Sequence, residues 1–179
     1  MFKSNKKNNL KVNLLYNKIL LLSRNKLLYT KFNMVDSFQN RINLIFLHTC
    51  FLFIALRAKS ENNIYKDLFQ KMFDFVFKSI EIDMRELGYG DTTINKNMKF
   101  ITKVFYNIML SCENFPLKSK NAKNLFLNRF LHYNKSSKNV DNIELIDYFN
   151  SFNTFCYDLE LDNVIRGNLS FKYNKFIKK

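Results

Sequence analysis

The chain of 179 residues can bury a substantial core, since 47% of its residues are hydrophobic and 20 of them are Phe. Three Gly and one Pro provide few tight turns, which disfavours a β-sandwich or barrel and favours helices. The formal charge of +14 favours a partner with an anionic surface, either lipid headgroups or RNA phosphates. The alternative is that the basic ends of the chain are simply solvated.

Chemistry-bearing motifs are absent from the sequence. Cys50, Cys112 and Cys156 are odd in number and lie in apolar surroundings, so we expect reduced cysteines that pack as small hydrophobes. The sequence contains no phosphate-binding loop, hydrolase motif or paired Cys/His spacing. We therefore predict no catalytic residues, no metal site, no cofactor, no small-molecule substrate and no enzyme activity.

The N-terminal segment is basic and amphipathic. It carries eight Lys or Arg and no acid before residue 36, and apolar residues from 10 to 28 recur at helical spacing, which predicts a first helix. Lys18 and Arg24 interrupt the apolar stretch, which argues against a secretory signal.

The most hydrophobic segment covers residues 42–56. Fifteen residues at helical rise span about 22 Å, which is shorter than the ~30 Å core of a bilayer. We therefore expect a central core helix rather than a membrane span, with Asp36 or Ser37 as its N-cap. Within it, we expect His48 to be buried and hydrogen-bonded.

Two amphipathic helices follow, over residues 64–87 and 94–112, where apolar residues recur mostly every four positions. Gly88 is predicted to be a left-handed C-cap. Asp91 or Thr92 is predicted to cap the second helix. The two helices should form a hairpin.

The last third of the chain begins at Pro116, which marks a boundary. A shorter helix is predicted over residues 124–132 and a long one over 140–161, with Asp141 as its N-cap. Gly167 is expected to end the helical region and lead into a basic, aromatic tail.

The predicted fold is all-α, a single compact domain of about six helices with basic N- and C-terminal extensions. We expect three segments: a basic N-terminal helix and lead-in over 1–35, a helical domain over 36–165 and a basic tail over 166–179. Five phenylalanines fall partly off the apolar stripes and would mark a binding patch if exposed together: Phe75, Phe77, Phe100, Phe115 and Phe171.

Three stretches in the middle of the chain carry distinctive motifs. The first, VDSFQNRINLIFLHTCFLFIALR over residues 35–57, contains Asp36, Phe38, Arg41, Leu47 and His48. The second, LFQKMFDFVFKSIEIDMRELGYGD over 68–91, ends in Arg85, Glu86, Gly88, Gly90 and Asp91. The third, INKNMKFITKVFY over 94–106, contains Lys96 and Lys99. Together they resemble the ubiquinol-cytochrome c chaperone family, whose mitochondrial members assist assembly of the cytochrome bc1 complex.

This resemblance makes ten residues candidates for partner binding or for the family motif: Asp36, Arg41, His48, Arg85, Glu86, Gly88, Gly90, Asp91, Lys96 and Lys99. In the turn from residue 85 to 91, we expect the glycines to permit a tight reversal while the charged residues hold it by ion pairing and capping. The turn either contacts the protein that the chaperone binds, its client, or only shapes the fold. Leu87 and Tyr89 replace the Met and Val usual in the family, changes we expect to be tolerated if both pack.

The resemblance implies a non-catalytic assembly chaperone that binds newly synthesised cytochrome b, and a bacterial-type member. The implied partners are cytochrome b or another bc1 subunit, the ribosome exit region, a small helper protein and an anionic membrane surface. The implied location is cytoplasmic and peripheral to the inner membrane, or the matrix face in a eukaryote. The alternative is a basic helical RNA- or ribosome-binding module without a respiratory client.

Overall fold

The computed structural model describes residues 2–59, 63–134 and 142–173, and the described residues form eight helices. These are α1 (Phe2–Ser23), α2 (Lys26–Lys31), α3 (Phe38–Lys59), α4 (Asn63–Glu86), α5 (Asp91–Cys112), α6 (Lys120–Phe130), α7 (Ile143–Asp158) and α8 (Leu161–Ile165). Six of them have 11 or more residues, which confirms the predicted all-α fold. The β-pairing within the described ranges is an isolated bridge between Met34 and Tyr133.

The centre of the fold is α3, in which 16 of 22 residues are buried. It packs against α1, α4, α5 and α7. Our length argument against a membrane span was wrong, because 22 residues cover about 33 Å and α3 is long and apolar enough to cross a bilayer. However, 83% of its apolar window is buried inside the protein, as expected of a core helix.

The hairpin of α4 and α5 is confirmed, and Gly88 ends α4 as predicted. Gly88 has φ +84°, its N–H donates to the Arg85 carbonyl at 3.0 Å, and the Tyr89 N–H donates to the Met84 carbonyl at 3.1 Å. These two bonds form a Schellman motif, which satisfies carbonyls that the helix end leaves unpaired.

The predicted cap of α5 was wrong. Its N-cap is Gly90, with no side-chain cap bond, and Asp91 lies in the first turn. There the Asp91 carboxylate accepts a hydrogen bond from Arg85 at 2.6 Å, so this oxygen is engaged across the turn. At the start of α3, by contrast, Ser37 is the cap, since its Oγ accepts from the Asn40 N–H at 3.2 Å.

The predicted first helix over residues 10–28 is in fact broken. Ser23 ends α1, and Asn25 caps α2 because its side-chain oxygen accepts from the Leu27 N–H at 3.0 Å. The Tyr29 hydroxyl donates to the Ser23 carbonyl at 3.1 Å. A local polar cap therefore interrupts the apolar period that the sequence continues through this point.

The helices of the last third also begin elsewhere than predicted. Ser119 caps α6, so this helix starts at Lys120 rather than at residue 124. The long last helix covers Ile143–Asp158, with Asn142 at the N-cap position, while the predicted cap Asp141 lies outside the described residues. The Asn142 amide instead donates to two asparagine side chains of α6.

Both ends of the chain pack on this core. From residue 10 onward, the buried apolar residues of α1 are Val12, Leu15, Tyr16 and Ile19. After Gly167 the chain does not leave the domain as expected, because Leu169 and Tyr173 are buried; residues 174–179 lie outside the described ranges. The functional division into 1–35, 36–165 and 166–179 stays a prediction.

Candidate functional site

A groove of about 380 Å³ opens between the N-terminal half of α3 and the C-terminal end of α4. We call it the α3–α4 groove. Buried isoleucines form its apolar part and charged side chains surround them. Its lining residues are Arg24, Phe38, Arg41, Ile42, Ile45, Ile80, Asp83, Glu86 and Leu87. Two of the three motif stretches, residues 35–57 and 68–91, thus meet here although they lie far apart in the sequence.

Arg41 is held in place on the groove wall. Its Nε donates to Asp36 Oδ1 at 2.7 Å and its Nη2 to Asp36 Oδ2 at 2.8 Å, a bidentate pair. Hydrogen bonding from Arg41 is the main cause that lowers the pKa of Asp36. Two parallel bonds fix the orientation of a guanidinium as well as neutralising its charge, so Asp36 acts by positioning Arg41.

The turn between α4 and α5, residues 85–91, borders this groove, and we call it the reversal turn. Arg85 donates to Glu81 Oε1 at 2.9 Å and to Asp91 Oδ1 at 2.6 Å, and these bonds raise its pKa. Arg85 thereby joins the last turn of α4 to the first turn of α5. Glu86 forms none of the ion pairs among the described residues, and it faces the groove instead.

The reversal turn also presents two apolar side chains to solvent. Leu87 is 61% exposed and Tyr89 is 45% exposed, so packing is not what makes these two replacements tolerable. Leu87 continues the apolar lining of the groove. Neighbouring exposed apolar residues beside a concave surface favour a protein-binding role.

His48 is confirmed as a buried, hydrogen-bonded imidazole. Its Nδ1 donates to the Leu44 carbonyl at 2.7 Å, so its Nε2 accepts from the Tyr148 hydroxyl at 2.8 Å. Burial lowers its pKa to about 4, so the ring is neutral near pH 7. His48 therefore joins α3 to α7 inside the core. Because it is fully buried, it is not available to contact a partner.

Lys96 and Lys99 lie away from the groove, on the solvent-facing side of α5. Lys103 follows at the same helical spacing, and Phe100 between them is 60% exposed. The structure therefore divides the ten candidates among three places: the groove with the reversal turn, the core, and the outer face of α5.

The five phenylalanines that would mark a binding patch if exposed together do not form one. Phe77 and Phe115 are buried, and Phe75 and Phe171 are partly buried and packed against the core. Only Phe100 of the five is largely exposed.

The described part of the chain contains no cluster of three or more His, Cys, Asp or Glu that could hold a metal ion. The thiols of Cys50, Cys112 and Cys156 are buried and free, as expected of small hydrophobes, and burial raises their pKa values.

Sequence reasoning did not identify Arg24, Ile80 or Asp83 as groove residues. The helical period of α4 predicts that Ile80 is buried, but not which helix it meets. Arg24 belongs to the break between α1 and α2, which the apolar period did not predict.

Comparison with known proteins places this geometry in a family. The family model described as ubiquinol-cytochrome C chaperone matches residues 30–141. The chain belongs to the ubiquinol-cytochrome c chaperone family. All ten candidate residues and every groove-lining residue except Arg24 lie within the matched region.

The fold has also been seen in a solved structure. The chain is similar to the crystal structure of the Cbp3 homolog from Brucella abortus, with a TM-score of 0.81 and 22% sequence identity. The similarity covers 98% of this chain and 96% of that one. A search of curated proteins finds no significant match.

Proposed function

We propose that this protein is a non-catalytic assembly chaperone of the ubiquinol-cytochrome c reductase (bc1) complex and that it binds newly synthesised cytochrome b. The observation that carries the proposal is the meeting of two family motif stretches at one groove with an apolar interior and a charged rim. Membership of the family supports the chaperone role. The choice of cytochrome b as client is the finer step.

The form of the groove suits an unfolded client. Its volume of about 380 Å³ accommodates a few side chains and not a folded domain. Arg24 and Glu86 provide opposite charges at its edge, and Leu87 and Tyr89 extend the apolar contact outward. A short apolar segment with polar flanks, as occurs at the ends of membrane-spanning helices, is complementary to such a surface.

A membrane-protein client implies a place of action near the membrane. We propose the cytoplasmic face of the inner membrane, or the matrix face if the source is eukaryotic. The ribosome exit region and a small helper protein remain proposed partners.

The test is affinity purification of the tagged protein in mild detergent, with mass spectrometry of the bound proteins. We compare wild type with Leu87→Gln/Tyr89→Gln, which removes exposed apolar contact beside the groove. The matched control is Leu125→Gln/Tyr157→Gln, because Leu125 and Tyr157 are also exposed, at 72% and 38%, but line no part of the groove.

We expect wild type and the control to recover cytochrome b and the groove variant to lose most of it at unchanged melting temperature. Recovery of a different bc1 subunit would change the client but keep the role. Equal recovery by both variants would contradict the assignment of the groove.

The alternative function is a basic RNA- or ribosome-binding module without a respiratory client. The observation that favours it is the outer face of α5, where Lys96, Lys99 and Lys103 lie beside an exposed Phe100, since aromatic and basic side chains together suit RNA. Recovery of ribosomal components without any bc1 subunit would establish this alternative.

A further inference from the structure

The outward side of α1 carries a stripe of exposed leucines. Leu10, Leu14 and Leu21 are 62%, 44% and 69% exposed, and their spacings of four and seven residues place them on one face of the helix. The opposite face, which includes Leu15 and Ile19, is buried against the core. The helix is therefore apolar on both faces. Packing within the domain explains the inner face, and on the outer face Leu14 adjoins Gly167 while most of the stripe remains exposed.

Basic residues accompany this stripe. Lys11 and Lys18, seven residues apart, lie along one flank of the leucines, and Arg24 follows the end of the helix. The sequence of α1 adds three lysines before them and contains no acid. Neither Lys11 nor Lys18 takes part in the ion pairs found among the described residues.

We infer that the outward face of α1 docks on a bilayer that contains anionic lipid. An exposed leucine stripe with basic flanks is the pattern of a helix that lies in the membrane interface, its leucines among the acyl chains and its lysines at the headgroups. Nucleic acid fits this face less well, because aliphatic side chains offer no stacking surface for bases. The inference rests on the proposed location at a membrane and does not depend on the client.

The face differs from the α3–α4 groove in residues and in test. The leucines of α1 line no part of the groove. The whole of α1 also lies before residue 30, where the region matched by the family model begins. Variants on α1 can therefore alter lipid binding without altering the client site.

The test is co-sedimentation of the full chain with vesicles of phosphatidylcholine and phosphatidylglycerol, compared with vesicles of phosphatidylcholine alone. We expect binding to the anionic vesicles, weakened by added salt. Leu10→Gln/Leu21→Gln should reduce binding about tenfold or more, because it removes two apolar side chains and keeps helix propensity. Its matched control, Leu117→Gln/Leu125→Gln, changes two leucines that are 87% and 72% exposed elsewhere and should bind as wild type.

The charge is tested with Lys11→Gln/Lys18→Gln against Lys66→Gln/Lys172→Gln, which removes the same charge from other surfaces. Since each base near an anionic surface contributes roughly fivefold, the α1 variant should lose about 25-fold and the control much less.

Three results would overturn the inference: no binding to anionic vesicles, equal losses in a variant and its control, or binding that a single-stranded RNA competes away while the leucine variant binds normally. Purification of each α1 variant in detergent, with measurement of the bound client, separates the two proposals. A variant that loses lipid binding but retains the client contradicts neither proposal. A variant that binds lipid normally but loses the client contradicts only the proposed function.

Discussion

Substitution of each of the three glycines by Ala tests the fold, because the backbone conformation and the space around an added Cβ differ among the three positions. Gly88 has φ +84° and open space around an added Cβ. Gly167 has φ +74°, and its added Cβ would lie 2.8 Å from the Leu14 Cβ. Gly90 has ordinary negative φ, −73°, and open space. Substitution by Ala therefore introduces backbone strain alone at Gly88, backbone strain and steric overlap at Gly167, and neither effect at Gly90.

The magnitudes follow from these differences. A left-handed backbone costs an L-residue roughly 1–2 kcal/mol, so Gly88→Ala should lower the free energy of unfolding by about that amount. At Gly167 the overlap adds about 1–3 kcal/mol, because the Leu14 Cβ moves only with its backbone, and the total should be about 2–5 kcal/mol. For Gly90→Ala the loss of a good N-cap residue and the smaller entropy of the unfolded chain oppose each other, which leaves about 0.5 kcal/mol or less.

Urea denaturation followed by far-ultraviolet circular dichroism measures all three values on one scale. The order of destabilisation should be Gly167, then Gly88, then Gly90. Gly88→Asn should recover part of the loss, since Asn tolerates the left-handed region better than Ala. A loss at Gly90 as large as that at Gly88 would refute the account of the reversal turn, in which only one glycine is conformationally required.

Two further predictions concern the motif residues. His48 has a folded-state pKa of about 4 and an unfolded-state pKa near 6.5. The unfolded chain therefore takes up the proton first, and the free energy of unfolding falls as pH drops from about 6.5 towards 4. At pH 5 the loss should be about 2 kcal/mol, and this pH dependence should be absent from urea titrations of His48→Gln. Asp91→Ala removes an exposed partner of Arg85 and should leave melting unchanged, because exposed pairs contribute little; reduced client recovery at unchanged melting would show that the reversal turn contacts the client, and lowered melting would show that it shapes the fold.

The helices that the sequence predicted best are those whose apolar period and end signals agree. For α4, a stripe at steps of four ends at Gly88, and the structure has the same helix and the same cap. The predicted helix bounds are wrong where a polar side chain caps a helix and so ends or begins it. Asn25 can accept the Leu27 N–H and so breaks a helix that the apolar period alone would continue.

The candidate site was only partly predictable for a related reason. Motif resemblance identified Arg41 and Glu86, but it could not show that they face one groove while His48 lies in the core. That distinction depends on which side of α3 meets α4 and which meets α7, a property of packing between helices distant in sequence. The exposure of Leu87 and Tyr89 had no sequence signal beyond their departure from the family pattern.

The relation between α1 and the groove joins the two proposals physically. Arg24 directly follows α1 and lines the groove, so the C-terminal end of the leucine face adjoins the proposed client site. A protein that docks on this face would hold the groove within roughly one helix diameter, about 10 Å, of the headgroups. A client segment could then remain bound at the groove while its neighbouring apolar segment lies in the bilayer. This arrangement predicts that Leu10→Gln/Leu21→Gln retains client binding in detergent but loses it in native membranes, a combination that neither proposal alone requires.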